Sequence, residues 1–336
     1  MNSSAMMHGI VFDRRELFRV EELPKPTPKP GQVLVQVRAS SVNAADYLFL
    51  VPAIRRGATT RGDAVREAAL GSLLGPVVGS DVAGVVAEVG LGVGALRPGD
   101  AVFGTPGLRG AWADYACIDQ GQVAAKPTSI TFEQAATAPV AGTTGLAAIR
   151  ASRVKAGHRV LVYGASGGIG LWAVQLLKAL GADVTAVVST RNVELARTVG
   201  ADRVIDYRTQ DFARESDGYD AIIGVNGHNP LATYKRLLRP GGSYAAVGGT
   251  RQGFAALAAG AARSIGSGKK LRGATYFTEI SRQSMNRLAE AITAHGIVPH
   301  IERARPMADA AAVAKELVAT HPQSKTVLTI SDGGLD

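Results

Sequence analysis

Cysteine, aromatic residues and long apolar runs are all scarce in this sequence. Its 336 residues include a single cysteine, Cys117, which excludes an intrachain disulfide and a zinc site built from several thiolates. No apolar run reaches the roughly 18 residues that a membrane span needs, and Met1–Gly9 lacks the basic and apolar pattern of a secretory signal. From these absences we expect a soluble, cytoplasmic protein with no membrane partner.

The chain is basic, but its basic residues form no cluster. There are 37 Lys and Arg against 28 Asp and Glu, a net charge of +9, and only 5% of residues are aromatic. No short stretch is dominated by Lys and Arg, and no basic segment is interleaved with aromatic side chains as nucleic-acid-binding surfaces are. We therefore expect a surface that attracts anionic small molecules, and no nucleic-acid partner.

The length, the hydrophobic content of 46% and the charged fraction of 19% are typical of a globular chain with two domains. Up to residue 127, short strand-like segments are separated by turn signals, whereas strands and helices alternate over residues 128–274. We expect residues 275–336 to return to the first domain.

The hydrophobic periodicity predicts individual elements in both parts of the chain. Before residue 128 we predict strands at Gly9–Asp13, Gln32–Ala39, Val82–Val89, Ala101–Phe103 and Trp112–Ile118. After it we predict strands at Arg159–Tyr163, Asp183–Val188, Arg203–Asp206, Tyr219–Val225 and Ser243–Val247, and helices at Ile169–Leu180, Asn192–Val199 and Leu231–Leu238. Thr131 and Gln134 fit a capping box. This alternation favours an α/β fold with a parallel sheet wrapped by helices.

Three further segments are predicted with less regular patterns. The basic, Ala-rich segment Val51–Leu74 interrupts the strands and predicts a helical insertion. The tail predicts a long helix at Ser281–His295 and a closing strand at Thr326–Ile330.

A glycine-rich loop follows the apolar strand that ends at Tyr163 and precedes an amphipathic helix. Its first glycine permits a tight exit from the strand, and its last lets the helix pack close to the sheet. The helix N-terminus offers unpaired N–H groups and a partial positive charge to a pyrophosphate. A plain glycine-rich turn is the alternative, but the strand–turn–helix context favours dinucleotide binding. The predicted pyrophosphate-binding residues are Gly164, Ser166, Gly167, Gly168, Ile169 and Gly170.

The end of the next strand indicates which dinucleotide binds. NAD enzymes usually carry a carboxylate there for the ribose 2′-hydroxyl, but this chain has Ser189, Thr190 and Arg191. Hydroxyl groups and a guanidinium suit a phosphate dianion, and Tyr207 after the third strand is a further candidate contact for the adenine or that phosphate. We therefore predict NADPH as the cofactor. The alternative for Arg191 is a solvated residue in the first turn of a helix.

The chain resembles the zinc-free, quinone oxidoreductase-like branch of the medium-chain dehydrogenase/reductase (MDR) superfamily. Besides the phosphate loop, the resemblance lies in residues 41–47, 79–86, 96–104, 110–115, 141–145, 240–242 and 247–249. It implies a GroES-like, β-rich catalytic domain over residues 1–127 and a Rossmann NADP-binding domain with a doubly wound parallel sheet over residues 128–274. It also implies a C-terminal return over 275–336 and an active-site cleft between the domains.

The resemblance also bears on metal binding. Zinc-dependent relatives place a Cys where Asn43 lies and a Gly-His-Glu where this chain has Gly79, Ser80 and Asp81. Catalytic zinc needs about three Cys, His or carboxylate ligands. We therefore predict no metal. Without a Lewis acid, the expected reaction is hydride delivery from NADPH to a small electrophilic acceptor, a quinone or an α,β-unsaturated carbonyl.

The resemblance assigns roles to further residues. Asn43 and Tyr47 line the nicotinamide or substrate end, where the Tyr47 hydroxyl or water supplies a hydrogen bond or a proton. An Asx turn at Asn43 and Asp46 is the structural alternative. The residues expected to hold the nicotinamide carboxamide are Thr143, Val247 and Gly248. His321 and Lys325 lie in the region that closes over the adenosine phosphate in relatives, although each is also readily explained as a solvated residue.

The sequence leaves open the acceptor, the oligomeric state and one alternative function. Arg55, Arg56 and Arg61 stand where relatives often carry an acidic or aromatic substrate loop, so the acceptor is not identified. The family pattern implies a homodimer or homotetramer that forms through the edge of the Rossmann sheet. A non-catalytic NADPH-binding protein, crystallin-like or regulatory, is the alternative function.

Overall fold

The structure is a computed structural model that describes residues 5–13, 17–47, 61–62, 75–215, 218–227, 229–248, 270–274, 280–320, 323–331 and 334–335. The insertion predicted at Val51–Leu74 therefore lies outside the described residues, apart from Arg61 and Gly62.

The described residues form strands and helices that we number in chain order. The strands are β1 (Met6–Asp13), β2 (Leu17–Pro24), β3 (Gln32–Ser41), β4 (Val82–Val89), β5 (Ala101–Gly104), β6 (Tyr115–Asp119), β7 (Val123–Ala125), β8 (Arg159–Tyr163), β9 (Asp183–Val188), β10 (Arg203–Asp206), β11 (Tyr219–Val225), β12 (Leu238–Val247), β13 (Lys270–Ala274), β14 (Ile301–Pro306) and β15 (Lys325–Thr329). The α-helices are α1 (Ala44–Tyr47), α2 (Phe132–Ala136), α3 (Ala138–Ser152), α4 (Gly168–Ala179), α5 (Val193–Thr198), α6 (Leu231–Leu237), α7 (Arg282–His295) and α8 (Ala310–Ala319).

The chain divides into two compact units. Unit 1 comprises Met1–Val140, Ser281–Thr293 and Val298–Asp336, and unit 2 comprises Ala141–Ile280 and Ala294–Ile297. The two termini of the chain thus share one unit, and the middle of the chain forms the other.

Unit 2 is built on a six-stranded sheet with the order β10-β9-β8-β11-β12-β13, in which all neighbours are parallel. Its central strands are apolar on both faces, and Leu161, Val187 and Ile222 are fully buried, as expected for a sheet covered on both sides. The strand order reverses between β9 and β11, on either side of β8. Loops at the carboxyl ends of these strands are where α/β sheets bind ligands.

Unit 1 contains a seven-stranded sheet with the path β14-β15-β3-β4-β5-β7 and with β6 also paired to β3, plus a separate β1–β2 hairpin. Its core includes the fully buried Trp112, which packs edge-on against Phe18. In the antiparallel pairing of β15 with β3, Val327 lies opposite Ser41. This register brings the start of β15 beside the residues that follow β3.

The predicted α/β architecture is confirmed, and several elements have the predicted bounds, among them β4, β8, β9, β10 and β11. The capping box is also confirmed: the Thr131 hydroxyl accepts from the Gln134 N–H at 3.2 Å, and the Thr131 N–H donates to the Gln134 side chain at 3.0 Å. The strand predicted at Trp112–Ile118 begins only at Tyr115. Helix α3 was not predicted because it is buried on most of its surface and so has no polar face to reveal a helical period.

Candidate active site

The glycine-rich loop of unit 2 has a geometry that only glycine permits at its start. Gly164 follows β8 with φ of +73°, and a Cβ atom there would lie 2.5 Å from the carbonyl oxygen of Val225. Its N–H donates to the carbonyl oxygen of Val187 at 3.2 Å. The turn is therefore held between two neighbouring strands of the sheet.

At the other end of the loop, Gly170 allows helix α4 to pack directly on the turn. A Cβ atom on Gly170 would lie 2.2 Å from the Gly164 carbonyl oxygen and 2.7 Å from the Cα atom of Ala165. Gly167 caps α4 in an extended conformation with no side-chain hydrogen bond, and a Cβ atom there would meet only the Gly164 oxygen, at 3.6 Å. The first N–H groups of α4 thus face a space without a side-chain cap, which suits a pyrophosphate.

Asn192 connects this loop to the end of β9, a role that the sequence did not indicate. Its side-chain Nδ2 donates to the Ser166 hydroxyl at 2.9 Å and to the Ser189 hydroxyl at 3.1 Å, and the residue is 4% exposed. Since each hydroxyl accepts from Asn192, its own proton is free to point to another acceptor. Ser166 and Ser189, both predicted cofactor-binding residues, therefore belong to one hydrogen-bonded group.

The end of β10 lies beside the end of β9, because Asp206 pairs with Val188 in the parallel register. Tyr207 follows and is 46% exposed, and the Arg208 guanidinium lies 5.5 Å from the centre of its ring. The N–H of Arg208 donates to the Asp206 carboxylate at 2.9 Å, and this bond, followed by the Thr190 hydroxyl, lowers the pKa of Asp206. Sequence reasoning missed Arg208, although its position directly after Tyr207 was visible.

The end of β12 completes this edge of unit 2. Gly248 has φ of +98°, and a Cβ atom there would lie 2.2 Å from Oδ1 of Asn226. Asn226 is itself in the left-handed region, with φ of +49°, and its N–H donates to the carbonyl oxygen of Val247 at 2.9 Å. Thr143, in α3, is fully buried. The backbone at Val247 and Gly248 is thus fixed by a neighbouring strand.

Unit 1 contains a cluster of polar side chains around Asn43, Ser80 and Asp81, which we call the polar cluster. The Asn43 amide donates from Nδ2 to the Asp81 carboxylate at 2.8 Å and to the Ser80 hydroxyl at 3.3 Å. Asp81 is fully buried and also accepts from the Ser41 hydroxyl and from the N–H of Val140, the latter at 2.8 Å. Every hydrogen-bonding atom of the Asp81 carboxylate is therefore engaged.

The second carboxylate of this cluster, Asp46, holds the start of helix α1. Its oxygens accept from the Asn43 N–H and from the Ser80 hydroxyl, each at 2.7 Å. Burial is the main reason that the pKa of Asp46 is raised to about 7. These bonds give Asn43 and Asp46 a structural role in the turn. Tyr47 follows directly, packs partly buried against the core, and has its pKa raised by burial and by the charge of Asp46.

Lys325 lies in the same cluster. Its ammonium donates to Oδ1 of Asn43 at 2.6 Å, to the carbonyl oxygen of Val42 at 3.2 Å and to the Asp81 carboxylate at 3.3 Å, and its side chain is 6% exposed. The interpretation of Lys325 as a solvated residue is wrong, because the register of β15 against β3 carries it inside the unit. The three N–H donors of the ammonium all have acceptors, which leaves none for an adenosine phosphate. His321 lies outside the described residues.

The comparisons with known proteins agree with this architecture. Residues 29–128 match the family described as "Alcohol dehydrogenase GroES-like domain", and residues 168–294 match "Zinc-binding dehydrogenase". The chain is 30% identical over 327 residues, covering 90% of this chain and 82% of the relative, to the mitochondrial NAD(P)H oxidoreductase RTN4IP1 of Mus musculus. It is 33% identical over 241 residues, covering 68% of this chain and 58% of the relative, to a chloroplastic NADPH-dependent alkenal/one oxidoreductase of Arabidopsis thaliana.

A solved structure is similar along nearly the whole chain. The quinone oxidoreductase from Coxiella burnetii superposes with a TM-score of 0.81 at 25% identity, covering 97% of this chain and 100% of that one. The protein belongs to the quinone oxidoreductase-like proteins of the medium-chain dehydrogenase/reductase superfamily. Among the described helices, none is both long and apolar enough to cross a membrane. Because the two relatives are named for mitochondria and chloroplasts, a cytoplasmic location stays a prediction.

The name of one matching family raises the question of zinc, and the polar cluster of unit 1 does not fit that ion. The side chains of Asn43 and Ser80 offer an amide and a hydroxyl as metal ligands, and both are poor ligands for zinc. The Asp81 carboxylate is paired with the Lys325 ammonium. A dication placed there would be repelled by the ammonium. In the described part of the chain, no group of three or more His, Cys, Asp or Glu residues is arranged to hold a metal.

Proposed function

We propose that the protein is an NADPH-dependent oxidoreductase that reduces quinones or α,β-unsaturated carbonyl compounds without a metal. The observation that carries this proposal is the uncapped N-terminus of α4 behind a glycine turn, beside a loop rich in hydroxyl and guanidinium groups. The printed names of relatives, a quinone oxidoreductase and an alkenal/one oxidoreductase, support the acceptor class. When bound, NADPH supplies the hydride.

In unit 2 the pyrophosphate of NADPH binds at the N-terminus of α4. The backbone N–H groups of Gly168, Ile169 and Gly170 face it, with Gly167 leaving room for the phosphate oxygens. The backbone at Val247 and Gly248, with Thr143, holds the carboxamide of the nicotinamide. Because these contacts come from backbone and from small residues, the protein supplies orientation rather than chemistry here.

The 2′-phosphate binds at the ends of β9 and β10. Ser189 and Arg191 donate to it, whereas the Thr190 hydroxyl, predicted from the sequence as a further donor, gives its single proton to Asp206. Tyr207 borders the adenine, and Arg208 adds a second guanidinium at the same edge. The negative charge of the Asp206 carboxylate acts against binding of the 2′-phosphate, but this carboxylate accepts hydrogen bonds from the Arg208 N–H and the Thr190 hydroxyl. Two arginines against one occupied carboxylate favour NADPH over NADH.

In unit 1 the Tyr47 hydroxyl donates a hydrogen bond or a proton to the acceptor's oxygen. Burial and the Asp46 carboxylate raise the pKa of Tyr47, so its hydroxyl stays protonated at neutral pH and acts as a donor. The amide of Asn43 is engaged on both sides by Lys325, Asp81 and Ser80, so Asn43 positions α1 and does not contact the acceptor. We therefore assign the catalytic role to Tyr47 alone.

The test is NADPH oxidation by the wild-type protein over a panel of quinones, enals and enones, repeated with Tyr47→Phe. The variant keeps the ring but loses the hydroxyl, so kcat/KM falls by at least about tenfold while NADPH affinity is unchanged. Tyr115→Phe is the matched control, because Tyr115 lies in β6 and its ring contacts Lys25. Tight NADPH binding without turnover of any acceptor would support the non-catalytic alternative. The homodimer or homotetramer stays a prediction that light scattering tests.

A further inference from the structure

Lys325 and Asp81 form an ion pair of 3.3 Å in the polar cluster of unit 1. Lys325 stands at the start of β15, whose register against β3 leads it to the residues just after β3. The Lys325 side chain is 6% exposed and that of Asp81 is fully buried. A buried ion pair is weak support for stability by itself, so its presence calls for another explanation.

The ammonium of Lys325 determines which way the Asn43 amide points. Its shortest contact, 2.6 Å, is to Oδ1 of Asn43, so the Nδ2 side of that amide must face Asp81 and Ser80. With the ammonium removed, Oδ1 would lose its donor, and either orientation of this partly buried amide would leave one polar atom without a partner in the cluster.

The Asn43 amide in turn belongs to the support of helix α1. The N–H of Asn43 donates to Asp46, whose other oxygen accepts from the same Ser80 hydroxyl that Asn43 contacts. Tyr47 is the next residue, and α1 has only four residues, too short to hold its own conformation. The position of the Tyr47 ring therefore depends on hydrogen bonds that lead back to Lys325.

We infer that Lys325 is a positioning residue for the reduction: its ammonium, held by Asp81, orients Asn43 and through it the Tyr47 hydroxyl, and it does not bind the cofactor's phosphate. This inference rests on the proposed role of Tyr47. It replaces the adenosine-phosphate role expected for Lys325, because the donors of the ammonium are already occupied. The two roles can be distinguished, since only the phosphate role predicts a loss of NADPH affinity when the ammonium is removed.

The experiment uses the full-length double variant Lys325→Met with Asp81→Asn, which removes both charges and nearly keeps the volume of both side chains. We expect its dissociation constant for NADPH to stay within about twofold of wild type, whereas kcat for an enone or quinone falls by about tenfold or more with KM little changed. A fluorine label on the ring of Tyr47 should give a shifted or broadened resonance, because α1 has lost its anchor.

The matched control is Lys178→Met with Asp202→Asn, an ion pair of 2.7 Å in unit 2 that is partly exposed and has no part in the cluster. This variant should leave kcat and the Tyr47 resonance unchanged. If the Lys325 double variant does not fold, Lys325→Arg replaces it, because the charge is kept while the single short bond to Asn43 cannot be reproduced by a planar fork. The same loss of kcat and shift of the resonance are expected.

Two results would overturn the inference. If NADPH affinity fell by about tenfold and the Tyr47 resonance were unchanged, Lys325 would be a residue that binds the cofactor. If kcat and the Tyr47 resonance were both unchanged, the ion pair of Lys325 would be only structural. If the wild-type protein turned over no acceptor, the proposed function would fail. The fluorine resonance and the NADPH affinity would still decide the role of Lys325 in that case.

Discussion

The two sites of this protein are built in opposite ways. At the carboxyl edge of the parallel sheet in unit 2, the main features are backbone: glycines, of which Gly164 and Gly170 leave no room for a Cβ atom, and a helix N-terminus. In unit 1 the cluster consists of side chains from three separated stretches of the chain, at Ser41–Asp46, at Ser80 and Asp81, and at Lys325. The backbone features of unit 2 are therefore most sensitive to added volume. The buried cluster of unit 1 is in addition destabilised when one charge is left without its partner.

The largest effect is expected from Lys325→Met alone. This variant leaves the fully buried Asp81 carboxylate without its cation, and removing one partner of a buried ion pair costs about 3–5 kcal/mol of unfolding free energy. Lys178→Met, which breaks a partly exposed pair, should cost about 1 kcal/mol or less. Urea unfolding of both variants gives the comparison. Equal losses would show that the unit 1 pair is no more demanding than a surface pair.

The next effect is the contribution of Asp46, in unit 1, to the dependence of stability on pH. Because burial raises the pKa of Asp46 to about 7 from 3.8, the folded protein keeps a proton that the unfolded chain has released in this window. Stability therefore falls as the pH rises from about 4 to about 7, by up to about 1.4 kcal/mol per pH unit, and levels off above it. Asp46→Asn should lack this component. If the unfolding free energies of the variant and the wild type changed with pH in the same way, this prediction would be wrong.

In unit 2, Gly170 and Gly167 differ in what an added methyl group would contact. Gly170→Ala places its Cβ atom 2.2 Å from a backbone oxygen, so the unfolding free energy should fall by about 1–3 kcal/mol. Gly167→Ala has room for its Cβ atom, 3.6 Å from the nearest atom, so stability should change by less than about 0.5 kcal/mol. Its methyl group enters the space of the pyrophosphate, and NADPH affinity should drop. A stable Gly167→Ala variant with full affinity would contradict the proposed phosphate site.

The smallest predicted effect concerns the choice of cofactor. A guanidinium on a phosphate adds a charge-assisted hydrogen bond of roughly 1.5–3 kcal/mol, partly screened, so Arg191→Ala should weaken NADPH binding by about tenfold. Arg208→Ala should act in the same direction. NADH lacks the 2′-phosphate and should be unaffected, and Ser189→Asp should shift the preference further towards NADH. The measurement is the dissociation constant of NADPH and of NADH for the wild type and each variant. If Arg191→Ala lost the same affinity for both cofactors, Arg191 would be only structural.

The contrast between the units also explains how much the sequence predicted. The strands of unit 2 and its loop could be predicted because an apolar run followed by spaced glycines is a local pattern, and Gly164 and Gly170 have the roles in the turn and in helix packing expected of them. The parallel direction of the strands in this sheet could be predicted from the alternation of strands and helices along the chain.

The cluster of unit 1 could not be predicted in the same way. Lys325 meets Asn43 across a strand pairing that joins residues from opposite ends of the chain, and no local pattern contains that register. Asp46 and Ser80 lie within the family-like segments 41–47 and 79–86, but their hydrogen bond is a tertiary contact. The same holds for Asn192 in unit 2, a buried amide whose partners lie in two different loops.

The most direct test of the central claim, hydride transfer from NADPH to a conjugated acceptor, follows the hydride itself. The wild-type protein is given NADPH deuterated on the transferred position of the nicotinamide, together with an enone from the screen, and the product is analysed by mass spectrometry and NMR. We expect one deuterium on the β-carbon of the enone, with the hydrogen added at the α-carbon derived from solvent. A product without deuterium, or label at the carbonyl carbon, would contradict it.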